Sequence, residues 1–407
     1  MHTRRVAVSS AFDENTIREI ARGAHRHGLL ERRAIRDQSA LMWAAELGLK
    51  LGAGSETLRR FVTNQHARIL SGALPEDVRV SRSAELVRVI GARRRSPMTH
   101  DIGNARWKTL FDRSASRVDF GDAEVLISMP GSSLRTFEAN RDRRLIFHEI
   151  DAHPRTRNEL LEKFYGVRRA RAEMFPEWFV QRIEAEIEMA SSILVPGAVV
   201  AEQMLRQGVA ASKLLTVPFG VDPDVFRPRP GAGAAADESR SRRLQLVTTG
   251  QISLRKGIPF LLEAVRGRNV DLTLVGQVFD ARILENLPEN VTVAGILTAE
   301  QIANLYARCD AFVLPSIEDA FGLVVAEAAS AGLQVITTRE TGAHELLSPR
   351  HTVIDAGDVD QLRGALDSTH TLQHDERLLI SDEALSRGSL EWSKYADEVL
   401  RAIGAIE

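Results

Sequence analysis

Short apolar runs bounded by turn residues recur along this chain, and most lead into a longer stretch with apolar residues at helical spacing. In the first half, Val6-Ala7-Val8 precedes a helical stretch at 14–27, and 41–51 has the near-3.6 period of a second helix. Val125-Leu126-Ile127-Ser128-Met129, stopped by Pro130-Gly131, and Leu145-Ile146-Phe147-His148 read as buried strands. A polar helical run covers 159–189 with a break at Phe175-Pro176, and strands are expected at 192–196 and 214–217. Strands alternating with helices in this way predict parallel βα units.

Residues 226–243 interrupt the pattern. They are rich in Pro, Gly and Ala, then charged, and have no apolar periodicity, so they read as a linker. Beyond them, strands are expected at 244–248, 272–275, 291–293, 311–314 and 335–337. Helices are expected between them at 258–266, 300–308 and 321–331, and a last one starts near Trp392. The expected architecture is α/β, two βαβ domains joined by a linker.

Composition narrows the class. A chain of 407 residues with 44% hydrophobic and 27% charged residues can fill two cores, which excludes a disordered polymer. The single cysteine, Cys309, rules out a disulfide framework and a cysteine-cluster zinc site and suits core packing. No secretory signal is read at the start, and no window approaches the roughly 18 apolar residues of a spanning helix, so a cytoplasmic location is expected.

The net charge of −2 averages two unlike halves. Residues 1–225 hold 35 Lys and Arg against 29 Asp and Glu, whereas 226–407 hold 18 against 26. The basic half, with Arg93, Arg94 and Arg95 in sequence, is either a solvated face or a surface for an anionic partner such as the inner face of a membrane. Nucleic acid is not the expected partner, because aromatic residues are only 5% of the chain and do not interleave with the basic ones.

Several motif matches carry no chemistry. Gly231-Ala232-Gly233 follows a Pro-Arg run and Gly52-Ala53-Gly54 follows a helical pattern, whereas a dinucleotide fingerprint needs a strand-to-helix turn. Asp119-Phe120-Gly121 has no kinase catalytic loop beside it, and Asp222-Pro223-Asp224 is an acidic loop rather than a metal site. The informative loops follow strands. Gly250 to Gly257 places Arg255 and Lys256 where open α/β sheets bind ligands, and two cations there suit a phosphate. Pro315-Ser316-Ile317-Glu318-Asp319-Ala320-Phe321-Gly322-Leu323 leads into a helix whose first N–H groups form an anion- and hydroxyl-binding nest. Glu327 then falls on an apolar helix face, where a carboxylate needs hydrogen-bond donors such as ribose hydroxyls.

Together these segments resemble the family-four retaining glycosyltransferases, the glycosyl transferases group 1 with the GT-B fold. The family's acidic residue, seven intervening residues and glutamate match Asp319 and Glu327 when Phe321-Gly322 is aligned. Residues 190–196, 217–222, 250–257, 274–276, 341–345 and 391–393 extend the likeness, which is close over 190–400 and loose before that. The resemblance implies two Rossmann-like domains facing a central cleft: an acceptor-binding domain at 1–225, the linker at 226–243 and a donor-binding domain at 244–390. A C-terminal helix at 391–407 packs back on the first domain.

It further implies a nucleoside diphosphate sugar as co-substrate, no metal or other cofactor, and an acceptor that is a glycan, a lipid-linked molecule or a small molecule. Donor binding is expected from Gly250, Gln251, Arg255, Lys256, Gly295, Ile296, Asp319, Phe321, Gly322, Leu323 and Glu327. Of these, Lys256 meets the diphosphate, Asp319 the sugar hydroxyls and Glu327 the ribose. Lys256 and Asp319, with His153 from the acceptor side (His148 as the alternative), form the expected catalytic set. Gln251 stands where the family usually has an arginine, and Asp319 where it usually has glutamate. The expected activity is retaining sugar transfer in glycoconjugate or polysaccharide synthesis. The alternatives are a phosphorylase or sugar-phosphate synthase of the same fold, or a sugar-nucleotide-binding protein without turnover.

Overall fold

The computed structural model describes residues 3–11, 15–36, 73–80, 97–228, 243–387 and 390–407. The helix expected at 41–51, the Gly52-Ala53-Gly54 and Gly231-Ala232-Gly233 segments, Arg93 to Arg95, and most of the linker lie outside them.

Two parallel sheets organise the chain. The first has seven strands: β1 (Val6–Ser10), β2 (Leu30–Arg36), β3 (Asp77–Val80), β4 (Val125–Ser128), β5 (Arg144–His148), β6 (Ser192–Val195) and β7 (Leu214–Thr216). Their order is β3-β2-β1-β4-β5-β6-β7, with every pairing parallel. β1, β4 and β6 are buried along their whole length, as strands covered on both faces must be, which is why they read as unbroken apolar runs.

After the short β8 (Gly220–Val221), the second sheet takes β9 (Leu244–Thr249), β10 (Val270–Val275), β11 (Val291–Gly295), β12 (Ala311–Leu314), β13 (Gln334–Thr338) and β14 (Thr352–Ile354). Their order is β11-β10-β9-β12-β13-β14, again all parallel. Both sheets therefore reverse their strand order once, at β1/β4 and at β9/β12. Loops leaving the carboxyl ends of the strands diverge there and open a crevice.

Two connections tie the halves together. β15 (Leu390–Glu391) pairs with β8, and the Trp392–Ala402 helix that follows buries Tyr395, Val399 and Leu400 in a cluster shared with Ile17, Ile20 and Ala24 of the Asn15–Arg26 helix. The C-terminal helix thus crosses back to the first domain, as expected. The second connection was not anticipated. The Pro154–Ala170 helix precedes the linker in the chain, yet Leu161 and Ala170 join the core under the second sheet, and Tyr165 stacks on Phe260 with ring centroids 5.4 Å apart. Among the described residues, no helix is long and apolar enough to cross a membrane.

Candidate functional site

The loops after β9 and β12 meet at the point where the second sheet reverses. Gly257 ends the first loop with φ 67°, and a Cβ there would lie 1.8 Å from the Pro315 carbonyl oxygen, so only glycine lets the loops approach this closely. The Ile317 N–H donates to the Arg255 carbonyl at 2.9 Å and locks them together. Lys256 and Asp319 form a buried ion pair across the junction. Beside it, Arg255 Nη1 donates to the Glu318 carbonyl oxygen at 3.2 Å and approaches its Oε2 at 3.4 Å.

The electrostatics of this cluster follow from burial and mutual charge. Burial lowers the Lys256 pKa, with the Asp319 carboxylate opposing and Arg255 reinforcing the shift. Burial raises the Glu318 pKa against the pull of Arg255, and Glu318 Oε1 has no hydrogen-bond partner among the described residues. Asp151, from the loop after β5, belongs to the same field. Burial resists its ionisation, but Arg157, Arg255, Lys108 and Lys256 together hold it below its usual range. Burial also opposes the charge on Arg255, yet Glu318, Asp319, Asp151 and Glu173 outweigh it and raise its pKa.

The helix after the acidic loop starts later than the sequence suggests. It spans Leu323–Ser330, with Gly322 as the N-cap at φ 77° and ψ 59°, instead of beginning near Phe321. The left-handed turn explains the offset: a side chain at 322 would strain the backbone and would come within 2.5 Å of Thr341 Cγ2. Among the described residues no side chain caps this end, and the first N–H groups of the helix, which have no intrahelical partner, point out of it. The Phe321 carbonyl accepts from Ala343 N–H at 2.6 Å, which ties this loop to the segment after β13.

Glu327, one turn in, is half-buried rather than fully buried. Its carboxylate makes no hydrogen bond or ion pair with the described residues, and burial together with Asp222 raises its pKa to about 7. Asp222 caps the Pro223–Phe226 turn through the N–H groups of Asp224 and Val225. At the end of β11, Gly295 has φ 72°, and Ile296 is 76% exposed, an apolar surface next to the same carboxyl edge. Gly250 has open space where a side chain would project, and Gln251 is half-buried.

Of the histidines expected from the first domain, His148 packs edge-on against Phe219, whose ring centroid lies 5.1 Å from that of Phe321. His148 is buried, its Nε2 hydrogen-bonds Tyr395 Oη at 2.9 Å, and burial drives its pKa down to about 3. His153 caps the Pro154–Ala170 helix, its Nδ1 accepting from Arg155 N–H at 3.3 Å while its backbone N–H donates to Gln203 Oε1 at 3.2 Å. Its pKa falls to about 4 chiefly through burial, and its ring lines a cavity of about 360 Å³ with Glu184, Gln207 and Lys213. Among the described residues it makes no hydrogen bond or ion pair with Lys256 or Asp319.

Sequence reasoning passed over carboxylates that the structure brings forward. Glu149 is buried, with Oε1 accepting from the N–H groups of Ile150 and Asp151 and Oε2 without a hydrogen-bond partner among the described residues, and burial with Asp151 raises its pKa well above the usual carboxylate value. Glu149 and Asp151 directly follow β5, and that position was the available signal. Glu345 crosses between the halves by accepting the N–H groups of Ala198 and Val199 at 3.1 Å each.

Comparison with known proteins agrees with this geometry. A family model described as glycosyl transferases group 1 matches residues 235–387. The chain is 28% identical over 231 residues to the MMP alpha-(1->4)-mannosyltransferase of Mycolicibacterium hassiacum, covering 53% of this chain and 54% of that protein. It is 26% identical over 242 residues to the D-inositol 3-phosphate glycosyltransferase of Segniliparus rotundus, covering 54% of each. The chain thus spans about half the length of the curated relatives it matches.

Among solved structures, sucrose-phosphate synthase from Thermosynechococcus elongatus superposes with a TM-score of 0.66 at 15% identity over 98% of both chains. Anabaena HepE in complex with UDP and glucose gives 0.61 at 13% identity, over 99% of this chain and 100% of that one. These likenesses establish the two-domain GT-B fold.

Proposed function

Since residues 235–387 belong to the glycosyl transferases group 1 family, we propose that this protein is a retaining glycosyltransferase that moves a hexosyl or related sugar from a nucleoside diphosphate sugar to an acceptor. The observation that carries the reading is the meeting of Lys256, Asp319 and the Gly322 helix entrance at the switch point of the second sheet. HepE holding UDP and glucose on the same fold supports the donor class.

In this reading the donor lies along the carboxyl edge of the second sheet. Glu327, ionised and without a protein partner, accepts hydrogen bonds from the ribose diol, and the base rests against Gly295 and Ile296. The diphosphate displaces Asp319 from Lys256 and takes the Lys256 and Arg255 charges with the first amides of the Leu323–Ser330 helix, so that charge building on the leaving group is stabilised where it forms. Asp319, freed from Lys256, orients the sugar hydroxyls. The bond from the anomeric carbon to phosphate breaks, and the acceptor oxygen bonds to that carbon on the same face. The acceptor proton passes to the departing phosphate oxygen. Two cations and a helix N-terminus supply the positive charge, so the reaction runs without a metal. The acceptor is held by the first domain, whose basic half also allows peripheral membrane contact at the cytoplasmic face, and glycoconjugate or polysaccharide synthesis is the setting.

The test is turnover of UDP-, GDP-, ADP- and TDP-sugars with a panel of sugar and polyol acceptors, reading nucleoside diphosphate release and the anomeric configuration of the product. Release with retained configuration supports the reading, and inverted configuration or no release from any donor refutes it.

A further inference from the structure

Glu173 sits outside every motif in the sequence, yet it touches the loop that carries both cations of the site. It is 2% exposed, and its carboxylate accepts two consecutive backbone donors, Leu254 N–H at 2.6 Å on Oε1 and Arg255 N–H at 2.9 Å on Oε2. Hydrogen bonds to an ionised acceptor are roughly twice as strong as neutral ones, and two of them at adjacent residues define the loop's orientation as well as its place. Tyr165 Oη adds a third contact, donating to the Leu254 carbonyl at 2.9 Å.

All three contacts come from the chain segment before the linker. That segment cannot swing aside: Leu161 and Ala170 are buried in the core under the second sheet, and Tyr165 stacks on Phe260. The Glu173 backbone is held in turn, its N–H on the Ala170 carbonyl at 2.8 Å and its carbonyl accepting from Arg157 Nη2 at 2.8 Å. On its other side the loop is joined to the β12 loop through Ile317.

We propose that Glu173 is a positioning residue for the donor diphosphate: it clamps the backbone of residues 254–255 from the first domain's segment, so that the Arg255 and Lys256 side chains face the site. This rests on the donor-site reading above. A consequence is that the amides of Leu254 and Arg255 are already taken, so from this loop the diphosphate meets only the Arg255 and Lys256 side chains. With the clamp released, binding of the terminal phosphate suffers, whereas contacts to ribose and base do not.

The experiment compares wild type, Glu173→Gln and Glu173→Asp by calorimetry with UDP, GDP and ADP and with the matching monophosphates, alongside amide hydrogen exchange of the unliganded proteins. Glu173→Gln sets an amide NH₂ against a loop N–H. It is expected to weaken the nucleoside diphosphate by about tenfold, the scale of one charge-assisted hydrogen bond, with the monophosphate nearly unchanged and faster exchange at Leu254 and Arg255. Glu173→Asp, if the Gln variant does not fold, is expected to show the same selective loss. Unchanged diphosphate affinity, or equal loss for both ligands, overturns the proposal. If wild type binds no nucleotide, the donor-site reading fails, and unchanged exchange at Leu254 and Arg255 still overturns the clamp by itself.

Discussion

Lys256 and Asp319 stand 63 positions apart in the chain and close a buried ion pair where the loops after β9 and β12 meet. Each is the other's main compensation for lost hydration. Removing one partner leaves an uncompensated buried charge, which costs about 3–5 kcal/mol. Lys256→Ala is therefore expected to lower unfolding stability by about 3 kcal/mol in urea titrations and to cut kcat by about a hundredfold, the usual effect of losing one transition-state charge partner. Asp319→Asn, which keeps a neutral acceptor for Lys256, is expected to lose less stability than Lys256→Ala.

Glu327 links pH to both stability and binding. Its folded pKa of about 7, raised by burial and Asp222, lies above the unfolded carboxylate value, so the folded state binds more protons between these two values. Its contribution to stability is present below the unfolded pKa and is lost as pH rises through 7. Nucleotide affinity should run the opposite way, because the ionised carboxylate accepts the ribose hydroxyls: binding strengthens from pH 6 to pH 8. Glu327→Gln is expected to flatten both profiles, as read by melting temperature and calorimetry across that range.

Metal removal provides a separate check. With Arg255, Lys256 and a helix N-terminus gathered at the proposed diphosphate position, full turnover is expected after exhaustive EDTA treatment and dialysis. A loss of more than about tenfold that added Mg²⁺ or Mn²⁺ restores would show that a metal carries part of the leaving-group charge.

Much of the fold was legible because burial on both faces writes itself as unbroken apolar runs. β4, β6 and β12 are such strands. β2 was not legible, since four of its seven residues are charged. Arg33 of that strand is buried all the same, its charge met by Asp77 of β3, with Nη2 to Oδ2 at 2.8 Å. A contact between residues 44 apart cancels the polarity that hides the strand. The meeting of Lys256 and Asp319 was readable because both lie in loops that directly follow strands. Glu173 was not, because its partners are backbone N–H groups about 80 residues further along, and backbone donors leave no mark on a sequence.

His153 has a structural contact that the sequence did not predict. The resemblance favours it as an acceptor-side catalytic residue, whereas its ring caps a helix and lines a cavity with Glu184 and Gln207. His153→Asn preserves a capping oxygen and is expected to keep kcat within about threefold of wild type, since Asn is among the best N-cap residues. A loss of kcat beyond that, at an unchanged melting temperature, would return His153 to the chemistry.

The central claim is that the crevice at the β9/β12 switch point holds a nucleoside diphosphate sugar through Lys256. Calorimetric titration of wild type and Lys256→Ala with UDP-, GDP-, ADP- and TDP-sugars tests it most directly. Saturable binding of at least one donor by wild type, weakened at least about tenfold in folded Lys256→Ala, is the expected result. Equal binding by both proteins, or no binding of any donor by wild type, would contradict it.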